Sequence, residues 1–240
     1  VIADQRVMDD LERLIPTFMV HMPERVPLYV VGDFSASARA VAIAHELGCL
    51  HRLIPRQWIT SESLQAAEAR LSNLTVQSNY WKPGPIWWKL EGLRRVLEET
   101  AGGVLLLDSD IVLTAPFEET SFPGVDLVCS PFYWPDPEFP VEDHGAGGEF
   151  VGIAQRDGWL NAGMALVSCP EVAALWLQLY EKGIGGFYEQ WLMKYLVCSF
   201  QTTYFGPLHN WGSWRRAVPS RDVRSIHAHA STDAPPPWHK

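Results

Sequence analysis

Two carboxylates one residue apart, Asp108 and Asp110, close the apolar run Val104-Leu-Leu-Leu107. Acidic groups that close cannot share a dry site unless positive charge compensates them, and hard oxygen ligands suit Mg²⁺ or Mn²⁺. A divalent ion held this way can grip phosphate oxygens. Asp108-Ser109-Asp110 is also ordinary turn chemistry at a strand end, so the tripeptide alone leaves both readings open. A second group of metal-ligand types stands in Ile226-His227-Ala-His229-Ala230. Residues two apart on an extended strand face the same way, so His227 and His229 can both approach one cation. Adding an imidazole to two carboxylates moves the preference from Mg²⁺ towards Mn²⁺. The alternative is a pair of surface histidines in a polar tail.

Three more residues are candidates for a bound nucleotide. Asp33 and Phe34 follow the apolar run that ends at Val31, and a carboxylate or backbone group there can receive a base while the helix beyond offers free N–H groups. A turn Asp ahead of a helix cap explains Asp33 equally well. Lys89 borders an apolar helical stripe, so its ammonium either snorkels to water or reaches phosphates; snorkelling is the commoner outcome.

The elements that must position these groups alternate between strand and helix, which predicts an α/β fold with a mostly parallel central sheet flanked by helices. The first twenty residues read as an amphipathic helix with Val7, Leu11, Leu14 and Phe18 on one stripe. Pro27 to Val31 reads as the first strand, and Ser35 to Leu47 as a helix with a Ser cap and Gly48 at its end. A strand at about Leu50 to Ile54 and a helix from Ser61 to Leu71, lacking a capping-box Glu, follow. Pro85 to Thr100 is a helix with Ile86, Leu90, Leu93 and Leu97 inward, leading into a strand at Val104 to Leu107 buried on both faces. In parallel sheets ligands sit beyond the carboxyl ends of such strands, where Asp108 and Asp110 stand. Strands at Asp126 to Ser130 and Gly163 to Ser168, and helices at Pro170 to Lys182 and Tyr188 to Val197, complete the pattern. Pro131 to Trp159 is rich in Pro, Gly and acidic residues without periodicity and reads as a long loop or flap.

With 240 residues, 47% of them hydrophobic, the chain can fill one substantial core, and we expect a single domain. Within it we expect a nucleotide-binding half at 28–113. The formal charge of −9 argues against a nucleic-acid binder, since Arg215, Arg216, Arg221 and Arg224 are too sparse a basic footprint. Cys49, Cys129, Cys169 and Cys198 are far apart and mostly beside apolar residues, as reduced core thiols of a cytoplasmic protein would be. No window approaches the ~18 apolar residues of a membrane span, and no secretory signal pattern opens the sequence. Eleven tryptophans are present, and Trp81, Trp87, Trp88, Trp134, Trp211 and Trp214 fall in or beside candidate loops, where most pack and a minority can meet a sugar ring or base.

Taken in order, these segments resemble those of GT-A nucleotide-sugar glycosyltransferases. Leu105-Leu-Leu-Asp108-Ser-Asp110-Ile-Val-Leu is similar to their D-x-D strand, and Trp159-Leu-Asn161-Ala-Gly163-Met to their downstream N-[AS]-G strand. Glu189-Gln190-Trp-Leu stands where the retaining group containing glycogenin and the lipopolysaccharide galactosyltransferases has D-Q-x-x-[LN]. Gly206-Pro-Leu-His-Asn210-Trp211 resembles the L-P-x-x-[WY]-N segment, and His229 to Trp238 the terminal H-x-x-G-x-x-K-P-W. Three positions depart: Glu189 replaces Asp, no Gly follows the histidines at the expected offset, and Pro236 stands in place of the lysine that helps hold the diphosphate.

The resemblance implies an enzyme that binds a nucleoside-diphosphate sugar with its base near Asp33 and Phe34 and its ribose and diphosphate near Asp108 and Ser109. Lys89, Lys240 or a tail arginine is available to the diphosphate in place of the family's lysine. The resemblance also implies an acceptor-side half at 126–226 and a tail, 227–240, closing on the site. Asp108, Asp110 and a histidine, His227 or His229, would hold Mn²⁺ or Mg²⁺, and Asn161, Glu189 and Gln190 would line the reacting sugar. The acceptor hydroxyl enters from the flap side, where Asp136, Glu138, Glu142, Asp143, His144 and Asp157 are candidate bases for an inverting reaction. A retaining reaction need use none of them. Two rivals stand beside this reading: a metal-dependent phosphoesterase, which uses the same ligand types, and a sugar-nucleotide-binding protein without turnover.

Overall fold

The computed structural model describes residues 1–3, 7–71, 83–117, 122–131, 160–184, 189–206, 209–212 and 223–227. The expected flap beyond Pro131, which itself ends a strand, the base candidates on it, His229 and the remainder of the tail lie outside these residues, as do Trp81, Trp134 and Trp214.

The chain opens with β1 (Ile2–Ala3), α1 (Met8–His21), β2 (Leu28–Gly32), α2 (Phe34–Glu46) and β3 (Leu53–Arg56). Then come α3 (Ser61–Arg70), α4 (Pro83–Glu99), β4 (Val104–Leu107), β5 (Ile111–Leu113) and β6 (Leu127–Pro131). The last described elements are β7 (Leu160–Val167), α5 (Pro170–Glu181), α6 (Met193–Ser199), β8 (Thr202–Tyr204), β9 (Trp211–Gly212) and β10 (Ser225–His227). Strands β1, β2 and β3 form a parallel sheet in that order. A second sheet runs β4, β7, β6, β8, in which β7 is antiparallel to both neighbours and β6 and β8 are parallel. A third joins β5, β10 and β9.

The second sheet is covered on both faces, and alternation along its strands assigns each residue to a side. Leu106, Leu127, Cys129, Ala165 and Val167 face a cluster built with α3, α4, α5 and α6. Their neighbours Leu107, Val128, Met164 and Leu166 face a second cluster built with α1, α2 and β2. All eight residues of β7 are buried as a result. The architecture is therefore α/β with helices on both faces, as the alternation of elements predicts. The α4 stripe is also as expected, with Ile86, Leu90, Leu93 and Leu97 all buried.

Several local expectations are corrected. A short strand, β1, precedes α1 where the first twenty residues read as helix throughout; two residues are too few to display a period of two. The strand at 28 is consequently the second. Asp33, not Ser35, caps α2, its carboxylate accepting from the Ala36 N–H at 2.8 Å. The helix at 61 does own a capping box, formed by Thr60 and Ser63 in place of the expected Glu. Of the four free cysteines only Cys129 is buried, and Cys198 is exposed. Among the described residues no helix is long and apolar enough to cross a membrane.

Candidate active site

Two pairings bring the site together. β4 ends at Leu107, and the Asp108 N–H continues its pairing with β7 by donating to the Gly163 carbonyl at 2.7 Å. The chain then turns, with the Ile111 N–H donating to the Asp108 carbonyl, and leaves as β5. β10 pairs antiparallel with β5 in a register that sets His227 opposite Ile111, next door to Asp110. His227 Nε2 lies 3.0 Å from Asp110 Oδ1 and 3.9 Å from Asp108 Oδ2. Ligand-capable atoms of Asp108, Asp110 and His227 all fall within 4.8 Å of one another. Ser109, half-buried, sits between the two acids.

β7 is irregular where it meets this corner. Its register with β6 jumps from Cys129 opposite Ala165 to Ser130 opposite Asn161, so Ala162, Gly163 and Met164 bulge from the ladder. Bulges re-aim side chains next to functional sites. Here Asn161 Oδ1 turns back to accept the Gly163 N–H at 2.7 Å and the Asn210 amide at 2.9 Å, and Asn210 in turn meets His227 Nδ1 at 3.1 Å. Gly163 is required by this crowding. A Cβ there would stand 2.5 Å from His227 Cε1 and 2.7 Å from Asn161 Oδ1, closer than real side chains approach.

Lys89 does not snorkel. It is 8% exposed on the buried face of α4, and its Nζ binds Asp108 Oδ1 at 2.5 Å and Glu189 Oε1 at 2.8 Å. Burial works against the charged amine, but the two carboxylates outweigh it and hold its pKa above the ordinary lysine value. Glu189 is fixed in turn, because its carbonyl accepts the Trp176 indole N–H at 2.8 Å from α5. Burial pushes the Asp108 carboxyl up, and nearby Asp110 and Glu189 add to that push against the opposing pull of Lys89 and His227. Asp10 on α1 is also buried; burial and then Asp110 raise its pKa. Among the described residues the corner therefore carries more carboxylates than Lys89 alone can neutralise, a charge balance that would suit a divalent cation.

Asp108, Ser109, Asp110, Lys89, His227, Glu189 and Asn161 thus converge. Gln190 is half-buried in the same 3-10 turn as Glu189. Asp33 spends a carboxylate oxygen on capping α2, and Phe34 beside it is 73% exposed. Reading the sequence missed the bridge from Lys89 to Glu189 and the part played by Asn210. The resemblance of Gly206 to Trp211 singles out the segment without giving Asn210 a role; its φ of 50°, in the left-handed region that asparagine tolerates better than most residues, is not visible in sequence.

No family model matches the sequence, and no curated protein matches it. Solved structures do match its fold. Mouse xyloside xylosyltransferase 1, in an apo crystal structure, superposes with a TM-score of 0.61 at 13% identity, over 98% of both chains. The apo structure of WbbM, a bifunctional glycosyltransferase, gives 0.57 at 12% identity, over 94% of this chain and 44% of that one. At such identities the likeness speaks to the fold, and the fold is that of GT-A-like glycosyltransferases.

Proposed function

We propose that this chain is a metal-dependent glycosyltransferase, moving a hexose-like sugar from a nucleoside-diphosphate sugar to a hydroxyl acceptor. The observation that carries the reading is the convergence of Asp108, Asp110 and His227 at the end of β4, in a fold shared with glycosyltransferases. Two carboxylates and an imidazole are a donor set suited to Mn²⁺, and to Mg²⁺ with water completing the shell. When bound, such an ion stabilises the charge that grows on a departing diphosphate.

The chain's own residues supply the rest. Lys89 anchors Asp108 from behind, which holds one carboxylate oxygen in place and leaves the other facing His227. The same ammonium orients Glu189, which with Gln190 and Asn161 stands on the side we assign to the transferred sugar. Asp33 and Phe34, at the carboxyl end of β2, are our candidates for the base. Free thiols fit a cytoplasmic enzyme.

Incubation with Mn²⁺ and a panel of sugar nucleotides tests the reading by release of the nucleoside diphosphate. One donor class should turn over, and Asp110→Asn should abolish metal-dependent donor binding while circular dichroism stays unchanged. Unaltered donor affinity in that variant removes the ion from the mechanism. Cleavage of simple phosphoesters with no preference for sugar nucleotides makes the protein a phosphoesterase instead.

A further inference from the structure

Behind His227 lies a chain of hydrogen bonds whose direction can be derived from one end. The Gly163 backbone N–H can only donate, so the Asn161 atom that meets it at 2.7 Å is the carboxamide oxygen. The Asn210 atom 2.9 Å from that oxygen must then be a donor, its Nδ2. This leaves the Asn210 oxygen facing His227 Nδ1 at 3.1 Å. A carboxamide oxygen has only lone pairs to offer, so Nδ1 carries the hydrogen. In a neutral imidazole the other nitrogen is then bare, and Nε2 directs its lone pair at Asp110 and Asp108. A lone pair aimed at two carboxylates is repulsive unless a proton or a metal cation lies between them, and a bound cation would take the proton's place.

The chain is built to hold this direction. Asn161, Asn210 and His227 are each 5% exposed or less. Asn210 is gripped at its backbone too: its N–H donates to Ser225 Oγ at 2.6 Å, and Ser225 lies two residues before His227 on β10. One residue in a left-handed conformation thereby ties β7 to β10 through both its main chain and its side chain.

We infer that Asn210, aligned by Asn161, is a positioning residue that fixes His227 as the Nδ1–H tautomer and so presents Nε2 for cation binding. The inference rests on the reading of Asp108, Asp110 and His227 as a cation site. Hydrogen bonds that set the tautomer of a ligating histidine are commonly worth 10–100-fold in metal affinity.

The test uses metal-free, ¹⁵N-labelled protein and long-range ¹H–¹⁵N spectra, with the His227 signals assigned from a His227→Gln variant. The neutral ring should show its hydrogen on Nδ1. Asn210→Leu should mix the tautomers and weaken Mn²⁺ binding by about 10–100-fold by calorimetry. Asn210→Asp keeps an acceptor against Nδ1 while losing the donor to Asn161, so its spectra should show the hydrogen back on Nδ1 even where the fold is less stable, a recovery of the tautomer that a merely structural role does not predict. An Nε2–H tautomer in the unaltered protein overturns the inference without any variant. Equal Mn²⁺ affinity and the same tautomer in Asn210→Leu also overturn it, while leaving the cation reading standing. Wild-type protein with the Nδ1–H ring but no Mn²⁺ uptake overturns the cation reading, and the positioning role with it.

Discussion

The layer around β2 and β3 buries Leu28, Val30, Ala36, Ala40, Ile43 and Leu53, whereas the corner where β4, β7 and β10 meet buries Lys89, Glu189, Asn161, Asn210, Ser225 and His227. The first region is held by removing apolar surface from water, roughly in proportion to area and with little regard to direction. In the second, each group is tolerated only because a named partner stands at hydrogen-bond distance. The apolar layer can absorb a volume-conserving substitution, while the polar corner fails when one partner leaves. Stability and chemistry are thus drawn from different halves of the same interior.

Removing the ammonium should show this most strongly. Lys89→Met leaves Glu189 and Asp108 without their shared cation, and breaking a buried pair from one side costs about 3–5 kcal/mol. Because Asp108 retains 29% exposure, we expect the lower end of that range by urea denaturation. Adding Glu189→Leu to Lys89→Met should recover part of the loss, since the stranded buried carboxylate is then gone. If Lys89→Met is as stable as the parent, the corner is not electrostatically built.

Gly163→Ala comes next, with an overpacking cost of about 1–3 kcal/mol as the new methyl drives His227 or Asn161 aside. Thermal denaturation measures the cost, and Mn²⁺ affinity should fall with it. Loss of stability with metal affinity untouched would detach the bulge in β7 from the site. The smallest effect belongs to the rim. Arg56 and Glu99 pair at 2.6 Å with side chains about one-third exposed, and Arg56→Ala should cost no more than about 1 kcal/mol, shrinking further in high salt. A rim pair as costly as Lys89 would erase the contrast.

What the sequence disclosed divides along the same line. The α4 stripe and the apolar run of β4 were legible because helix and strand periods register directly as residue spacing. Asp108 and Asp110 were legible as neighbours in the chain, and His227 as one of two histidines with ligand chemistry. Which histidine reaches the acids depends on the register of β10 against β5, a pairing between segments more than 100 residues apart. Lys89 stood out because it bordered an apolar stripe, yet its second partner is Glu189, 100 positions away. Asn210 was opaque because its part depends on a backbone angle and a bulge in a distant strand. Capping was misread at Asp33 for a local reason: Asp and Ser both cap well, and two residues separate the choices.

The central claim is that Asp108, Asp110 and His227 jointly hold one divalent cation. A crystal grown with Mn²⁺ and a nucleoside diphosphate, measured for anomalous scattering, tests it most directly. The account predicts a single strong peak bounded by the two carboxylates and His227 Nε2, with diphosphate oxygens on its open side. A peak lying elsewhere, or a diphosphate bound at this corner with no anomalous signal, would contradict it.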